Sequence, residues 1–263
     1  MDGIEALART LGRLLHAKEI DAQLIGGLAL HFILQEEKRR AGASLDIDSL
    51  PLSDPRRLAL MQRVTTDLDL IVPRAQLDRA CVCLLEAGLQ RDERVEEPPL
   101  RYRSEIGTVD IIAYADDASA SQSRASRLEK MLFFLAQSGW RSDRRIAGLL
   151  PTVGPAALVL LKACSYYDRY LEKDLNDLLH LALLDLDHGE VRSELMGLSP
   201  SLPDFERSSL FSLRDAFARP DGHAAGIFIS ALAASHPIDD ALEDDIRDLL
   251  VTAVQTLLDW LEL

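Results

Sequence analysis

Residues 65–73 read TTDLDLIVP, and the fold can be worked out from this segment. Polar and apolar residues alternate along it and it ends at a proline, a pattern that predicts a half-buried β-strand. Side chains two positions apart in a strand point to the same face, so we expect Asp67 and Asp69 to lie side by side. Two close carboxylates repel each other at low dielectric, and hard oxygen ligands suit magnesium, so a cation is their natural partner.

A glycine pair stands upstream of that strand. Gly26 and Gly27 follow the apolar run AQLI and precede LALHFILQEEKRR, which predicts a strand, a tight turn and a helix. Glycines here let the backbone approach a ligand closely, and the first amide groups of the helix can bind phosphate oxygens. A turn that simply requires small residues is the alternative explanation of the pair.

A third carboxylate follows downstream. Asp110 lies in the run TVDIIAY, and the alternating runs on either side of Gly107 predict a β-hairpin. If the strand of Asp110 lies beside that of Asp67 and Asp69, the three carboxylates share one rim of the sheet. That is the arrangement of a site that holds two metal ions.

The order of elements predicts the fold class. Up to about residue 150 the order is helix, strand, helix, strand, helix and hairpin, which indicates a small sheet with mixed strand directions. After that point the strand signals fade and apolar residues recur at helical spacing, which indicates a helical bundle. We therefore expect an α/β protein of the α+β type, with a sheet domain at residues 1–150 and an α-helical domain at residues 151–263.

Together these features resemble the nucleotidyltransferase superfamily, which has a DNA polymerase β-like fold, and within it the AbiEii-like group of bacterial toxin-type nucleotidyltransferases. The matching residues in the sheet domain are Gly26, Gly27, Arg63, Thr65, Asp67, Asp69 and Asp110. A second match lies in LKACSYYDRYLEKDLNDLLHL, through Lys162, Arg169, Lys173, Asp174 and Asp177. The resemblance covers about residues 20–185 and leaves the C-terminal segment out.

The resemblance implies roles for these residues. Asp67 and Asp69 would bind two magnesium ions, while Asp110 would bind one of them and act as general base toward the acceptor hydroxyl. Arg63 or Lys162 would neutralise charge on the triphosphate. The residues implied to bind the nucleotide are Gly26, Gly27, Arg63, Thr65, Lys162, Arg169, Lys173 and Asp174.

The second match is open to two interpretations. Lys162, Arg169 and Lys173 are seven and four positions apart, so we expect them on one face of a helix that can look into a cleft. For Lys173 and Asp174, a solvated pair of opposite charges on a helix is an equally good explanation.

The segment 36–62 departs from the family pattern, because it lengthens the separation between Gly27 and Asp67. It could be a lid, an acceptor-binding element or an inert insertion. It also contains a second DxD, Asp46 and Asp48 in SLDIDSLPL, which lacks the Arg-x-Thr lead and the apolar run that follows the first. We therefore place the site at the first DxD.

The implied reaction is transfer of a nucleoside monophosphate from a nucleoside triphosphate such as ATP to an acceptor hydroxyl, with release of pyrophosphate. The resemblance favours RNA, in particular the tRNA 3′ end, in a toxin–antitoxin or phage-defence setting with an antitoxin protein as partner. The formal charge of −14, from 29 basic and 43 acidic residues, argues against coating of nucleic acid and favours a cationic aminoglycoside-type acceptor or a protein hydroxyl. A catalytically silent binding or antitoxin module is the alternative from another class.

Two further features bear on partners and location. No run approaches the roughly 20 apolar residues of a membrane span, and the start MDGIEALART lacks the regions of a secretory signal, so we expect a cytoplasmic protein that binds no membrane. A basic stripe could steer a polyanion such as tRNA, although a solvated helix face is its ordinary explanation. Its residues are Arg124, Arg127, Lys130, Arg141, Arg144 and Arg145.

Overall fold

The computed structural model describes residues 2–42, 46–61, 65–95, 99–114, 130–132, 134–135, 145–146, 150–186, 189–198, 202, 204–217 and 223–261. Within these ranges the named strands all occur up to Pro151, and the elements after it are helices. None of the described helices combines the length and the apolar character that a membrane crossing requires.

Five strands form one mixed sheet in the order β1–β2–β5–β4–β3. Their bounds are β1 Gln23–Ile25, β2 Asp67–Pro73, β3 Gln90–Arg91, β4 Leu100–Arg103 and β5 Thr108–Tyr114. β2 and β5 run parallel, while the pairs β1–β2, β5–β4 and β4–β3 are antiparallel. A separate ribbon pairs β6 Arg145–Ile146 with β7 Leu150–Pro151. The predicted α+β class, with its mixed sheet, its DLDL strand and its hairpin, is confirmed.

The two long strands at the centre of the sheet have one apolar face. On β2, Leu68, Leu70 and Val72 alternate with the two aspartates and are fully buried. Helices α1 Asp2–Ala17 and α4 Leu77–Glu86 pack against this strand. Because a slip of one residue would turn the aspartates into the core, burial of this face fixes the pairing of β2 with its neighbours.

The remaining helices follow the predicted order of the chain. They are α2 Gly26–Gly42, α3 Pro55–Ala59, α5 Pro155–Arg169, α6 Glu172–Asp185, α7 Glu190–Leu198, α8 Asp204–Phe217, α9 His223–Ala233 and α10 Asp240–Leu261. There are also two short 3-10 helices, Ile47–Ser49 and Arg74–Gln76, and residues 130–132 and 134–135 are helical as well. Helix α6 is buried on most of its surface, since Leu175, Leu178, Leu179 and Leu181 are all 0% exposed.

The chain forms two compact units that interleave along the sequence. One comprises Met1–Ile33 with Arg63–Leu158 and carries the five-stranded sheet. The other comprises Leu34–Gln62 with Val159–Leu263 and is helical. The sequence-based division into residues 1–150 and 151–263 stays a prediction about folding domains, whereas these units are defined by contacts.

The segment 36–62, which the family pattern does not account for, clusters with the helical unit. Helix α3 packs on α6, where the Ala59 carbonyl lies 3.2 Å from Nδ1 of the buried His180. Asp46 and Asp48 lie at the 3-10 helix, where Lys38 Nζ donates to the Asp48 carboxylate at 2.8 Å. The second DxD is therefore not on a strand, and its two carboxylates do not share a strand face.

The sequence predicts that Lys162, Arg169 and Lys173 share one face of a helix, but this segment forms two helices. Helix α5 ends at Arg169 and α6 begins at Glu172. Between them Tyr170 adopts a left-handed backbone with φ of 51° and is exposed. Lys173 therefore lies on a different helix from Lys162, and the heptad-like spacing that suggested one shared face does not apply across the break.

Candidate functional site

The pairing of β2 with β5 determines where the three predicted carboxylates lie. In this parallel ladder Asp69 stands beside Asp110, and Asp67 stands beside Thr108. Neighbours across a ladder point to the same face, as do residues two apart along a strand. Asp67, Asp69 and Asp110 therefore lie on one face of the sheet, opposite the buried leucines of β2, and we call it the carboxylate face. Asp67 is exposed, and the other two are half-buried.

Gly26 closes the site on the side of β1. Strand β1 ends at Ile25, which pairs with Asp69, and helix α2 starts at the next residue. Gly26 has φ of +73°, and a Cβ placed there would overlap Asp69 Oδ2 and lie 3.0 Å from Asp69 Cγ. The position therefore requires glycine for its backbone conformation and for the space that the Asp69 carboxylate fills. The predicted order of strand, Gly26-Gly27 turn and helix is confirmed.

Asp110 is held by an arginine that the sequence interpretation missed. Arg101 on β4 stands opposite Asp110 in the antiparallel ladder. Its Nε donates to Asp110 Oδ1 at 2.8 Å and its Nη2 donates to Oδ2 at 2.7 Å. The hydrogen bonds to Asp110 and the charge of that carboxylate, with a smaller contribution from Asp67, raise the pKa of Arg101. The guanidinium is therefore a permanent positive charge at the edge of the carboxylate face.

A signal for Arg101 existed in the sequence. Arg101 and Asp110 flank the turn of the predicted hairpin symmetrically, and Arg103 and Thr108 form the pair next to the turn. Two residues outward from that pair on each strand, Arg101 lies across from Asp110 on the same face of the sheet. The hairpin was predicted without this count, so the ion pair was not anticipated.

The turn of the hairpin is docked on the start of β2. The Thr108 amide donates to the Thr66 carbonyl at 3.2 Å, and a Cβ at Gly107 would overlap that same carbonyl oxygen. Ser104 Oγ accepts from the amides of Ile106 and Gly107 and so closes the turn. This close approach fixes β5 at its first residue, and that anchor sets Asp110 level with Asp69.

Thr65 and Arg63 are both implied to bind nucleotide, and the structure describes only the first of them. Thr65 is half-buried, and its hydroxyl lies 3.4 Å from the Asp67 amide, where it shapes the entry into β2. Arg63 lies outside the described residues. So do Arg124, Arg127, Arg141 and Arg144 of the predicted basic stripe, of which Lys130 and the backbone of Arg145 are described.

The donors on the carboxylate face fit one hard cation better than two. Asp67 and Asp69 supply adjacent carboxylate oxygens, the ligands that magnesium prefers. Both oxygens of Asp110 are instead bound by Arg101. Among the described residues, no group of three or more His, Cys, Asp or Glu side chains is arranged to hold a metal ion. Of the three carboxylates expected to bind two magnesium ions, Asp67 and Asp69 therefore fit that expectation.

The second matched segment forms a buried ion network within the helical unit. Lys162 Nζ lies 2.9 Å from Asp174 Oδ1 and 2.5 Å from Asp177 Oδ2. Arg169 Nη2 lies 3.1 Å from Asp174 Oδ2. Both aspartates are 0% exposed and Lys162 is 6% exposed, whereas half of the Arg169 side chain is exposed. Buried charges of this kind require partners, and here they supply them to one another.

This network corrects one of the two interpretations of Lys173 and Asp174. Lys173 is exposed, but Asp174 is fully buried and binds Lys162 and Arg169. Asp174 is therefore not one half of a solvated pair. The sequence could not reveal this, because adjacent residues on a helix point in directions about 100° apart and only packing decides which side is inside.

No family model matches this chain, and no curated protein matches it. It is similar to the solution structure of the antibiotic-resistance factor ANT(2″)-Ia, with 12% sequence identity, 83% of this chain and 95% of that chain covered, and a TM-score of 0.43. A likeness of this strength establishes neither a family nor an activity for this chain.

Proposed function

We propose that this protein is a metal-dependent nucleotidyltransferase that moves a nucleoside monophosphate from a nucleoside triphosphate to an acceptor hydroxyl. The observation that carries the proposal is the pairing of Asp69 with Asp110 across two parallel strands, with Asp67 on the same face. The strand–glycine–helix turn beside Asp69 adds a place for phosphate, because the first amides of a helix attract anions.

Each residue of the carboxylate face has a distinct task in this proposal. Asp67 and Asp69 hold magnesium, which when bound would neutralise charge on the triphosphate and on the departing pyrophosphate. The amides at Gly26 and Gly27 orient the phosphate chain. Asp110 accepts the proton of the acceptor hydroxyl as that oxygen bonds to the α-phosphorus. The bond from the α-phosphorus to the bridging oxygen breaks, and pyrophosphate leaves.

The residues of the second match fall into two groups, one buried and one exposed to solvent. Lys162 and Asp174 are buried against each other, which supports a role in holding the helical unit together rather than in binding nucleotide. Arg169 and Lys173 reach solvent and are the members of that set that a nucleotide could contact. We keep these two as proposed nucleotide-binding residues, together with Arg63 and Thr65.

Two classes of acceptor are proposed. RNA, in particular the tRNA 3′ end in a toxin–antitoxin or phage-defence setting, follows from the resemblance of the motifs. A cationic small molecule of the aminoglycoside type follows from the charge of −14 and from a site face built of three carboxylates. A positively charged acceptor would be attracted to such a face, whereas RNA would need a local basic patch.

A label-transfer assay tests the proposal. The protein is incubated with Mg²⁺ and each α-labelled nucleoside triphosphate, with total tRNA, with an aminoglycoside mixture, or with neither. Label on RNA selects the first acceptor class, and label on an aminoglycoside selects the second. Binding of triphosphate without transfer to any acceptor would identify a catalytically silent module and overturn the proposed reaction.

Two variants make the assay specific to the site. Asp69→Asn should abolish transfer, while Asp48→Asn should leave it unchanged, because Asp48 belongs to the exposed second DxD and pairs with Lys38. Asp110→Asn should reduce turnover more than triphosphate binding, since its proposed partner is the acceptor hydroxyl. Equal loss of binding and turnover in Asp110→Asn would show that its role as base is misassigned.

A further inference from the structure

The bond between Arg101 and Asp110 is a feature of the carboxylate face that the proposed reaction does not account for. The guanidinium forms two parallel hydrogen bonds, at 2.8 and 2.7 Å, so both oxygens of Asp110 face nitrogen donors. A bidentate bond of this kind is stronger and more directional than a single contact. Each oxygen keeps a second lone pair, but the positive guanidinium beside both of them disfavours a proton or a metal ion at Asp110 as long as Arg101 stays in place.

We infer that Arg101 occupies the place of a divalent cation at Asp110 in the resting protein, and that a metal ion must displace it there. The inference rests on the proposed function and assigns Arg101 the role of a positioning residue. It acts through Asp110 and would not itself touch the reacting atoms.

The balance of charge supports this inference. Arg101 places a positive charge directly against Asp110, one of the three carboxylates of this face. A second ion at Asp110 would meet a positive group within hydrogen-bond distance of the same oxygens. Such an ion therefore binds when Arg101 leaves Asp110, and the two compete for one carboxylate.

The geometry of the strands also supports exchange rather than a rigid clamp. Asp110 is fixed from the backbone, because β5 is anchored at Thr108 and paired on both sides. Arg101 reaches it through a long side chain that is 43% exposed. An arginine with this freedom can swing into solvent without any change in the sheet, whereas the carboxylate stays where a metal ion would need it.

Manganese binding to the protein without nucleotide tests the inference independently of catalysis. Free Mn²⁺ is measured by electron paramagnetic resonance during titration of the wild-type protein and of Arg101→Gln. We expect Arg101→Gln to bind Mn²⁺ about tenfold more tightly, or about 1.4 kcal/mol, because Asp110 is then released. The double variant Arg101→Gln/Asp110→Asn should lose that gain, which isolates the coupling of the two residues.

Arg103→Gln is the matched control. Arg103 lies two residues along on the same strand and pairs with Asp92 at 3.0 Å, so its replacement removes the same charge near the face without releasing Asp110. An equal gain in Arg101→Gln and Arg103→Gln would reduce the effect to overall charge and overturn the inference. So would an unchanged or weaker affinity in Arg101→Gln.

Arg101→Lys keeps the test decisive if Arg101→Gln does not fold. Lysine retains the charge but cannot form the two parallel bonds, so Mn²⁺ should bind more tightly than to the wild type and less tightly than predicted for Arg101→Gln. An affinity no higher than that of the wild type would again overturn the inference. Tighter Mn²⁺ binding in a protein that transfers no label would uphold the competition at Asp110 and defeat the proposed reaction alone.

Discussion

Two groups of paired carboxylates in this protein differ in how far water reaches them. On the sheet, Asp110 is 16% exposed and its partner Arg101 is 43% exposed. In the helical unit, Asp174 and Asp177 are 0% exposed and Lys162 is 8% exposed in its side chain. An ion pair at a surface can exchange its partners, whereas a buried one cannot lose a member without leaving a charge in the core. Accessibility therefore separates the pair suited to chemistry from the network suited to stability.

The largest predicted effect concerns the buried network. Lys162→Met should lower the free energy of unfolding by about 3–5 kcal/mol, because two buried carboxylates lose their shared cation. Urea denaturation followed by circular dichroism measures this change. Lys173→Met, at an exposed lysine of the next helix, is the control and should stay within about 0.5 kcal/mol of the wild type. Loss of triphosphate binding in Lys162→Met with unchanged stability would instead return Lys162 to the nucleotide site.

On the carboxylate face, a substitution should reduce activity and leave stability nearly unchanged, the reverse of what we expect for the buried network. We expect Asp69→Asn to reduce label transfer by at least about 100-fold, the cost of losing one preorganised electrostatic group. Its thermal unfolding should remain close to that of the wild type, since the substitution changes little volume at a half-buried position. A stability loss as large as that of Lys162→Met would break the comparison, because it would give the face a structural role.

Gly26→Ala tests the contact between the turn and Asp69. The left-handed backbone alone should cost about 1 kcal/mol or more of stability, and the overlap with the Asp69 carboxylate should add to that cost. Gly88→Ala is the matched control, because Gly88 has φ of +83° and open space around it. Equal stability losses in the two variants, with transfer retained in Gly26→Ala, would show that Asp69 does not depend on this glycine.

The smallest effect belongs to an ion pair at the surface, between Glu36 and Arg39. Hydrogen bonds from Arg39, followed by the charges of Arg39 and Arg40, lower the pKa of Glu36 to about 2. A carboxylate with a lowered pKa stabilises the fold above its ordinary pKa and loses that contribution as the pH falls from 4.5 to about 2. Screening by water limits Glu36→Gln to about 0.3–0.5 kcal/mol at pH 7. The wild type and Glu36→Gln should unfold with equal stability at pH 2.

Features that depend on local pattern were predicted from the sequence. The strand Asp67–Pro73, the turn at Gly26 and the hairpin follow from alternation, glycine placement and proline, which act over a few residues. The common face of the three aspartates follows from the strand period once β2 and β5 are neighbours. The pairing of those two strands was the one long-range assumption in that prediction.

Features that depend on packing were not predicted. The break at Tyr170 needs a tyrosine with a left-handed backbone, a conformation that residues other than glycine rarely adopt, so the residue type gave no signal of it. Asp174 and Asp177 have the composition of a solvated helix face, so their burial could not be read from residue type. The grouping of residues 34–62 with the helical unit likewise depends on contacts far apart in the chain, such as that of Ala59 with His180.

Gly107 packs closely against the Thr66 carbonyl, and this contact fixes where β5 begins relative to β2. Asp110 lies two residues after Thr108, the anchored first residue of β5, and this separation places Asp110 level with Asp69. One residue inserted between Thr108 and Asp110 would rotate that carboxylate to the leucine side of the sheet, even though every strand could still form. Tolerance to insertions should therefore fall sharply at this corner of the sheet.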